Sequence, residues 1–144
     1  MKNSVPGRAV PRICLLTETF YPVVGGGETH ARLLAHHLNL MGMSTFVLTR
    51  RSSSELPVSE LLDGVQVCRL PPSGWKRFGK YLMVPFVRGF LAKNRHAHDL
   101  ILVCGFRVLG EPAVKSARRL GKLCVLRAEA QGEMSGGYAS AYRK

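Results

Sequence analysis

Tyr21-Pro22-Val23-Val24-Gly25-Gly26-Gly27-Glu28-Thr29-His30 joins an apolar run to an amphipathic one, and the fold is read outward from it. Upstream, Arg12-Ile13-Cys14-Leu15-Leu16-Thr17 is short and continuously apolar, the pattern of a central parallel strand covered on both faces. Downstream, Ala31, Leu34, Ala35, Leu38 and Met41 recur at helical spacing, and Gly42 marks the stop. Thr45 to Thr49 reads as a second strand, completing a βαβ unit. Three glycines ahead of a helix let the backbone approach a ligand closely, and the unpaired amides of the first turn carry partial positive charge. A phosphate is the natural guest. A bare Gly-Gly-Gly also serves equally well as a tight turn against a neighbouring loop.

The rest of the chain repeats the alternation. Arg50 to Leu62 is polar and reads as a surface loop with a short helical turn at Ser59 to Leu62. Asp63-Gly64 is a turn signal, and Val65 to Leu70 alternates as an edge or near-edge strand ending at Pro71-Pro72. Trp75 to His98 reads as a helix bent near Pro85, too short to span a bilayer. Asp99 to Cys104 is a fourth strand. Gly110 to Leu120 has Pro112 in its first turn and Gly121 at its stop, and Lys122 to Arg127 is a fifth strand. Ala128 to Lys144 is Gly/Ser/Ala-rich without a period. The sum is an α/β domain over 12–144, preceded by a basic extension over 1–11. Its sheet is open, mostly parallel and Rossmann-like, with about five strands and helices on both faces. Ligands of such sheets bind beyond the carboxyl ends of the strands, where strand order reverses. The loops at Thr17 to Gly27, Arg50 to Ser54, Pro71 to Gly74, Gly105 to Gly110 and Ala128 to Gly137 belong to that rim.

Composition agrees with a globular domain: 144 residues, 46% hydrophobic and 21% charged, are enough to bury a core. Lysine and arginine outnumber aspartate and glutamate by 21 to 9, so the surface should attract phosphates, anionic headgroups or nucleic acid. Cys14, Cys68, Cys104 and Cys124 are far apart within apolar runs, without a C-x-x-C pair. That spacing disfavours zinc and disulfide exchange and fits buried thiols in a reducing cytosol. No apolar core of signal-peptide type follows the basic Met1 to Arg12.

Two nucleotide motifs fail at the glycine turn. A dinucleotide fingerprint from Gly25 needs glycine where His30 stands, and Thr49-Arg50-Arg51 replaces the acid expected after the second strand. A Walker loop needs lysine and a hydroxyl residue where the chain has Glu28-Thr29.

Tyr21-Pro22, Gly25-Gly26-Gly27-Glu28, the helix ending at Leu38 to Gly42 and the strand Thr45 to Thr49 together resemble the amino-terminal domain of family 4 glycosyltransferases of the GT-B fold. Asp63-Gly64-Val65 with Leu70-Pro71, Asp99 to Gly105 and Gly121 to Arg127 resemble that domain's later strands. The resemblance covers nearly the whole chain, and Pro22 to Glu28 is its specific part. It implies retaining transfer of a sugar from a nucleotide-sugar substrate to a glycan or lipid-linked acceptor, with no bound metal and no further cofactor. Gly25, Gly26 and Gly27 would then face the donor diphosphate, their amides opposing charge on the leaving group. Glu18, Glu28, His30, Glu129 and Glu133 are the acceptor or cleft candidates; for Glu18, Glu129 and Glu133 a solvated loop acid is the plainer reading, and for His30 a packed or solvated helix histidine.

The chain departs from the family at two points. Arg127-Ala128-Glu129-Ala130-Gln131 stands where many members carry a histidine facing the sugar, so that role transfers to no residue and the catalytic residues stay unassigned. The nucleotide-binding carboxy-terminal domain, with its paired-glutamate motif, is not represented. The resemblance therefore implies the acceptor-side part of an enzyme, truncated before the donor-binding domain and inactive without a donor-domain polypeptide.

Trp75, Lys76, Arg77 and Lys80, ahead of apolar Tyr81 to Val84, make a basic aromatic segment suited to an anionic membrane surface. An ordinary charged helix end fits the same residues. Cytoplasmic residence, peripheral on the inner membrane face, follows as an expectation. Two other function classes stay open: a non-catalytic phosphate or nucleotide-binding module, and a basic interaction protein for membranes or nucleic acid. No nucleic-acid module is visible, which disfavours the last partner.

Overall fold

The computed structural model describes residues 9–75 and 78–129. The strands are β1 (Ile13–Thr17), β2 (Thr45–Arg50), β3 (Ser59–Leu62), β4 (Val65–Leu70), β5 (Leu100–Cys104) and β6 (Leu123–Arg127). The helices are α1 (Gly26–Leu40), α2 (Gly79–Leu82), α3 (Val84–Lys93) and α4 (Phe106–Leu120). One sheet of six strands runs in the order β3-β4-β2-β1-β5-β6, and every neighbouring pair is parallel except β3 with β4. This is the Rossmann-like α/β sheet expected of the alternation, with one strand more.

β1 is buried throughout, and apolar up to Thr17, because both of its faces are covered. Cys14 and Leu16 face a core shared with Met83, Val87 and Leu91 of the α2–α3 segment and Leu109, Ala113 and Ala117 of α4. Leu15 faces a core shared with Ala31 and Ala35 of α1, Val47 of β2 and Val67 of β4. Each fully buried leucine contributes about 1.5–3 kcal/mol of hydrophobic stabilisation, and the alanines of α1 let that helix lie close to the strands. At the amino-terminal end of the sheet, Arg12 clamps Asp99. The Arg12 amide donates to Oδ2 at 2.9 Å, and its Nε and Nη2 donate to the carboxylate at 3.1 Å each.

The structure corrects three readings. Ser59 to Leu62 is a strand, not a helical turn. Asp63 at φ 50° and Gly64 at φ 78° form the two left-handed positions of a tight hairpin, which pairs Leu62 with Val65. Trp75 to His98 ends its helical part at Lys93. Within it, Met83 keeps helical dihedrals and bonds to Gly79, and Val87 bonds to Met83 at 2.9 Å. The division falls beside Pro85, which lacks the N–H that would continue the ladder. The last helix starts at Phe106 rather than Gly110. Gly105, at φ 76°, turns the chain directly off β5, and Phe106, Leu109, Ala113 and Ala117 form one buried stripe. Pro112 consequently sits inside the helix, buried, and the loop expected at 105–110 shrinks to Gly105.

Candidate functional site

The sheet order reverses at β1: the chain moves from β1 to β2 on one side and returns to β5 on the other. A crevice opens at the carboxyl ends of strands at such a switch point. A cleft of 230 Å³ lies there, lined by Thr17, Glu18 and Thr19 after β1, Cys104 and Gly105 after β5, Arg107 of α4, Lys80 of α2 and Glu129 after β6. It holds two carboxylates, two cations and two hydroxyls, a set that matches a polyhydroxylated ligand better than an apolar one.

The loop from β1 to α1 is held at several points. Thr17 Oγ1 donates to the Thr19 carbonyl at 3.1 Å, and Thr19 Oγ1 donates to Glu28 Oε1 at 2.5 Å. Phe20 is buried in the α1-side core. Arg69 Nη2 donates to the Tyr21 carbonyl at 2.9 Å, and the Arg32 guanidinium lies 4.3 Å from the centroid of the Tyr21 ring. Arg32 also pairs with Asp63 at 2.8 Å, and that contact holds the Asp63 carboxyl below its ordinary range.

The three glycines differ in their surroundings. Gly25 is the N-cap of α1 in an extended conformation, with no side-chain cap. A Cβ there would meet the Glu28 carboxylate, and one at Gly27 would meet the Glu129 carboxylate; one at Gly26 would meet nothing. Two acids thus lie at the electropositive end of α1, where the helix dipole favours them.

His30 packs against Arg127: Arg127 Nη2 lies 3.2 Å from His30 Nε2 and also contacts Nδ1. Arg127 Nη1 is buried and has no hydrogen-bond partner among the described residues. Arg50, at the end of β2, packs its guanidinium beneath Gly79, with Nε and Nη1 buried and without a hydrogen-bond partner among the described residues. Burial pushes the Cys104 thiol up to about 11, reinforced by the charge of Glu129. His36 and His37 meet edge to face at 5.7 Å, and His36 Nδ1 lies 3.1 Å from the Asp63 carbonyl.

Of the candidate residues, the structure gathers Glu18, Glu129 and Lys80 at the cleft and sets Gly27 and Glu28 beside it. Lys80, expected at a membrane surface, is half-buried and lines the cleft, whereas Trp75 is exposed. Lys76, Arg77 and Glu133 lie outside the described residues. Sequence reasoning placed Thr17 and Arg107 only within rim loops and missed Cys104 and Arg69. Arg69 carried a readable signal, since it continues the inward register of Val65 and Val67 in an alternating strand.

No family model matches the sequence, and no curated protein matches it at a significant level. Two solved chains of sucrose-phosphate synthase from Thermosynechococcus elongatus, a GT-B glycosyltransferase, are similar in structure. One matches with TM-score 0.59 and 16% identity over 85% of this chain and 66% of its own length. The other matches with TM-score 0.65 and 18% identity over 92% of this chain and 37% of its own. The chain thus has a glycosyltransferase-like fold and spans 66% and 37% of the lengths of these two solved chains. At these identities the likeness speaks for the fold.

Proposed function

We propose that this chain is the acceptor-side part of a family 4-like GT-B glycosyltransferase, binding a hydroxyl-bearing acceptor in the cleft between the ends of β1 and β5. One observation carries the reading: the 230 Å³ cleft lies at the switch point of a glycosyltransferase-like sheet, with the glycine turn of α1 beside it. Thr17, Thr19, Glu18 and Glu129 offer hydrogen-bond partners to sugar hydroxyls, while Lys80 and Arg107 offset the two acids. The amides at Gly25 to Gly27 would oppose a donor diphosphate, which would take the place of the Glu129 carboxylate against Gly27. The rest of the nucleotide-sugar would be held by a second, donor-binding domain, carried in longer chain or by a partner polypeptide. Transfer by this domain alone is not expected.

Amide NMR of the labelled chain, titrated with simple sugars and separately with sugar nucleotides, tests the assignment. The expected result is saturable shifts at Thr17, Gly105 and Arg107 with a sugar acceptor. Shifts confined to other surfaces, or robust sugar transfer by the chain alone, would overturn the acceptor-side reading.

A further inference from the structure

The outward face of the α2–α3 segment is apolar where a helix packed on a sheet is ordinarily polar. Trp75, Phe78, Tyr81, Leu82 and Phe86 are 58%, 62%, 56%, 43% and 46% exposed. Phe78, Tyr81, Leu82 and Phe86 recur at spacings of three and four residues through a backbone that stays helical across Met83, opposite the buried Met83, Val87 and Leu91, and Trp75 precedes them in the chain. Scattered exposed hydrophobic residues need no explanation, but four large ones along one stripe, with an exposed tryptophan just ahead of them, do.

Charge in the same stretch points to what covers this face. From Gly64 to His98 the sequence has seven lysines and arginines and no aspartate or glutamate. Among the described ones, Arg88 and Lys93 are exposed on α3. A second copy of the chain would set this basic stretch against itself, with like charges opposed, which disfavours a self-complementary contact. An anionic bilayer meets both demands: its headgroups attract the cations, and its interfacial zone takes up aromatic rings and a leucine.

We infer that the α2–α3 face seats this chain on an anionic lipid surface, with Trp75, Phe78, Tyr81, Leu82 and Phe86 entering the headgroup boundary and Arg88 and Lys93 at the phosphates. Lys80 belongs to the same segment and lines the cleft, so seating the face brings the cleft mouth to the bilayer. Among the described residues no helix is long and apolar enough to cross a membrane, so the contact is one of lying on the surface. The inference goes beyond the acceptor assignment and is read without any transfer reaction, so either can fail without the other.

Flotation of the full chain with phosphatidylcholine vesicles, with and without phosphatidylglycerol, tests it. The expected result is partition onto the phosphatidylglycerol vesicles, part of which survives high salt. A triple variant, Phe78→Ser, Tyr81→Ser and Phe86→Ser, should lose about tenfold or more of that partition while keeping the wild-type melting temperature. A double variant, Arg88→Gln and Lys93→Gln, should weaken binding to the anionic vesicles several-fold, with little change on neutral ones. Absence of partition at low salt, or wild-type partition by the triple variant, overturns the inference. So does a drop in oligomeric size caused by the triple substitution, which would give the face to a second copy. Loss of single-stranded oligonucleotide retention in that variant, without vesicle binding, would give it to nucleic acid.

Discussion

Arg69 on β4 donates from Nη2 to the carbonyl of Tyr21 at 2.9 Å, tying the loop before the glycine turn to a strand 48 residues later. Its side chain is almost fully buried and pairs through Nη1 with Glu60 of β3 at 2.6 Å. One guanidinium therefore joins the edge hairpin, the sheet and the rim of the cleft.

Replacing Arg69 by methionine keeps the stem's packing but leaves the Tyr21 carbonyl and Glu60 without this partner. Because Glu60 remains partly hydrated, the expected cost is about 3 kcal/mol, the lower end for a broken buried pair. Urea unfolding measures the loss. Amide exchange at Gly25 to Gly27 should quicken as well, and a variant with wild-type midpoint and exchange would show that Arg69 is no anchor.

Two glycines beside the cleft should respond oppositely to alanine. At Gly27 the new methyl meets only the far end of Glu129, which can swing away, and alanine favours the helix by roughly 1 kcal/mol. Gly27→Ala should melt no lower than wild type while altering ligand shifts at the cleft. Gly105 holds φ 76° and ψ 93°, and alanine there should cost on the order of 1–3 kcal/mol. Thermal melts of the two variants side by side check the contrast.

Stability should fall with acid in two separable steps. His98 is buried, with Nδ1 3.1 Å from the Asn94 carbonyl, and burial assisted by Lys122 holds its imidazole below the ordinary value. The unfolded chain then takes up this proton first. Stability is full above the ordinary histidine value, falls as pH drops through it, and levels below the lowered folded value. Asp99 is held down to about 2 by its hydrogen bonds from Arg12, so its contribution is present above the ordinary carboxylate range and is lost as pH falls through about 2. Urea midpoints against pH should lose the upper step in His98→Phe and show a smaller lower step in Asp99→Asn, the remainder coming from carboxyls such as Asp63. Unchanged profiles would contradict both assignments.

Thiol chemistry should be slow in the folded chain. Burial pushes Cys104 and Cys124 up to about 11 and moves Cys14 higher still. At pH 8 roughly one thiol in a thousand is then thiolate at the first two sites. Iodoacetamide should label these cysteines far more slowly than in urea, as mass spectrometry of timed samples would show. Rapid native labelling of Cys104 would mean that the cleft wall opens.

The order of strands and helices was legible because each rests on neighbours in sequence. A continuous apolar run identified β1, helical spacing identified α1, and a left-handed glycine closed α4. Asp63-Gly64 was legible as a turn, but Ser59-Glu60-Leu61-Leu62 has no apolar alternation, so the strand and its hairpin emerge only in the pairing of Leu62 with Val65. The start of α4 was misread because Pro112 suggested a first turn, whereas Gly105 releases the chain from β5 at once.

The sequence by itself determined a parallel α/β sheet and a glycine turn at the head of its first helix, since periodicity and turn chemistry act over a few residues. Only the tertiary structure decided what surrounds that turn. It set Glu129 against Gly27, Arg127 against His30 from 97 residues away, and Lys80 inside the cleft rather than on the outer face. Those relationships depend on strand order, which places β6 two strands from β1, and no local spacing encodes it.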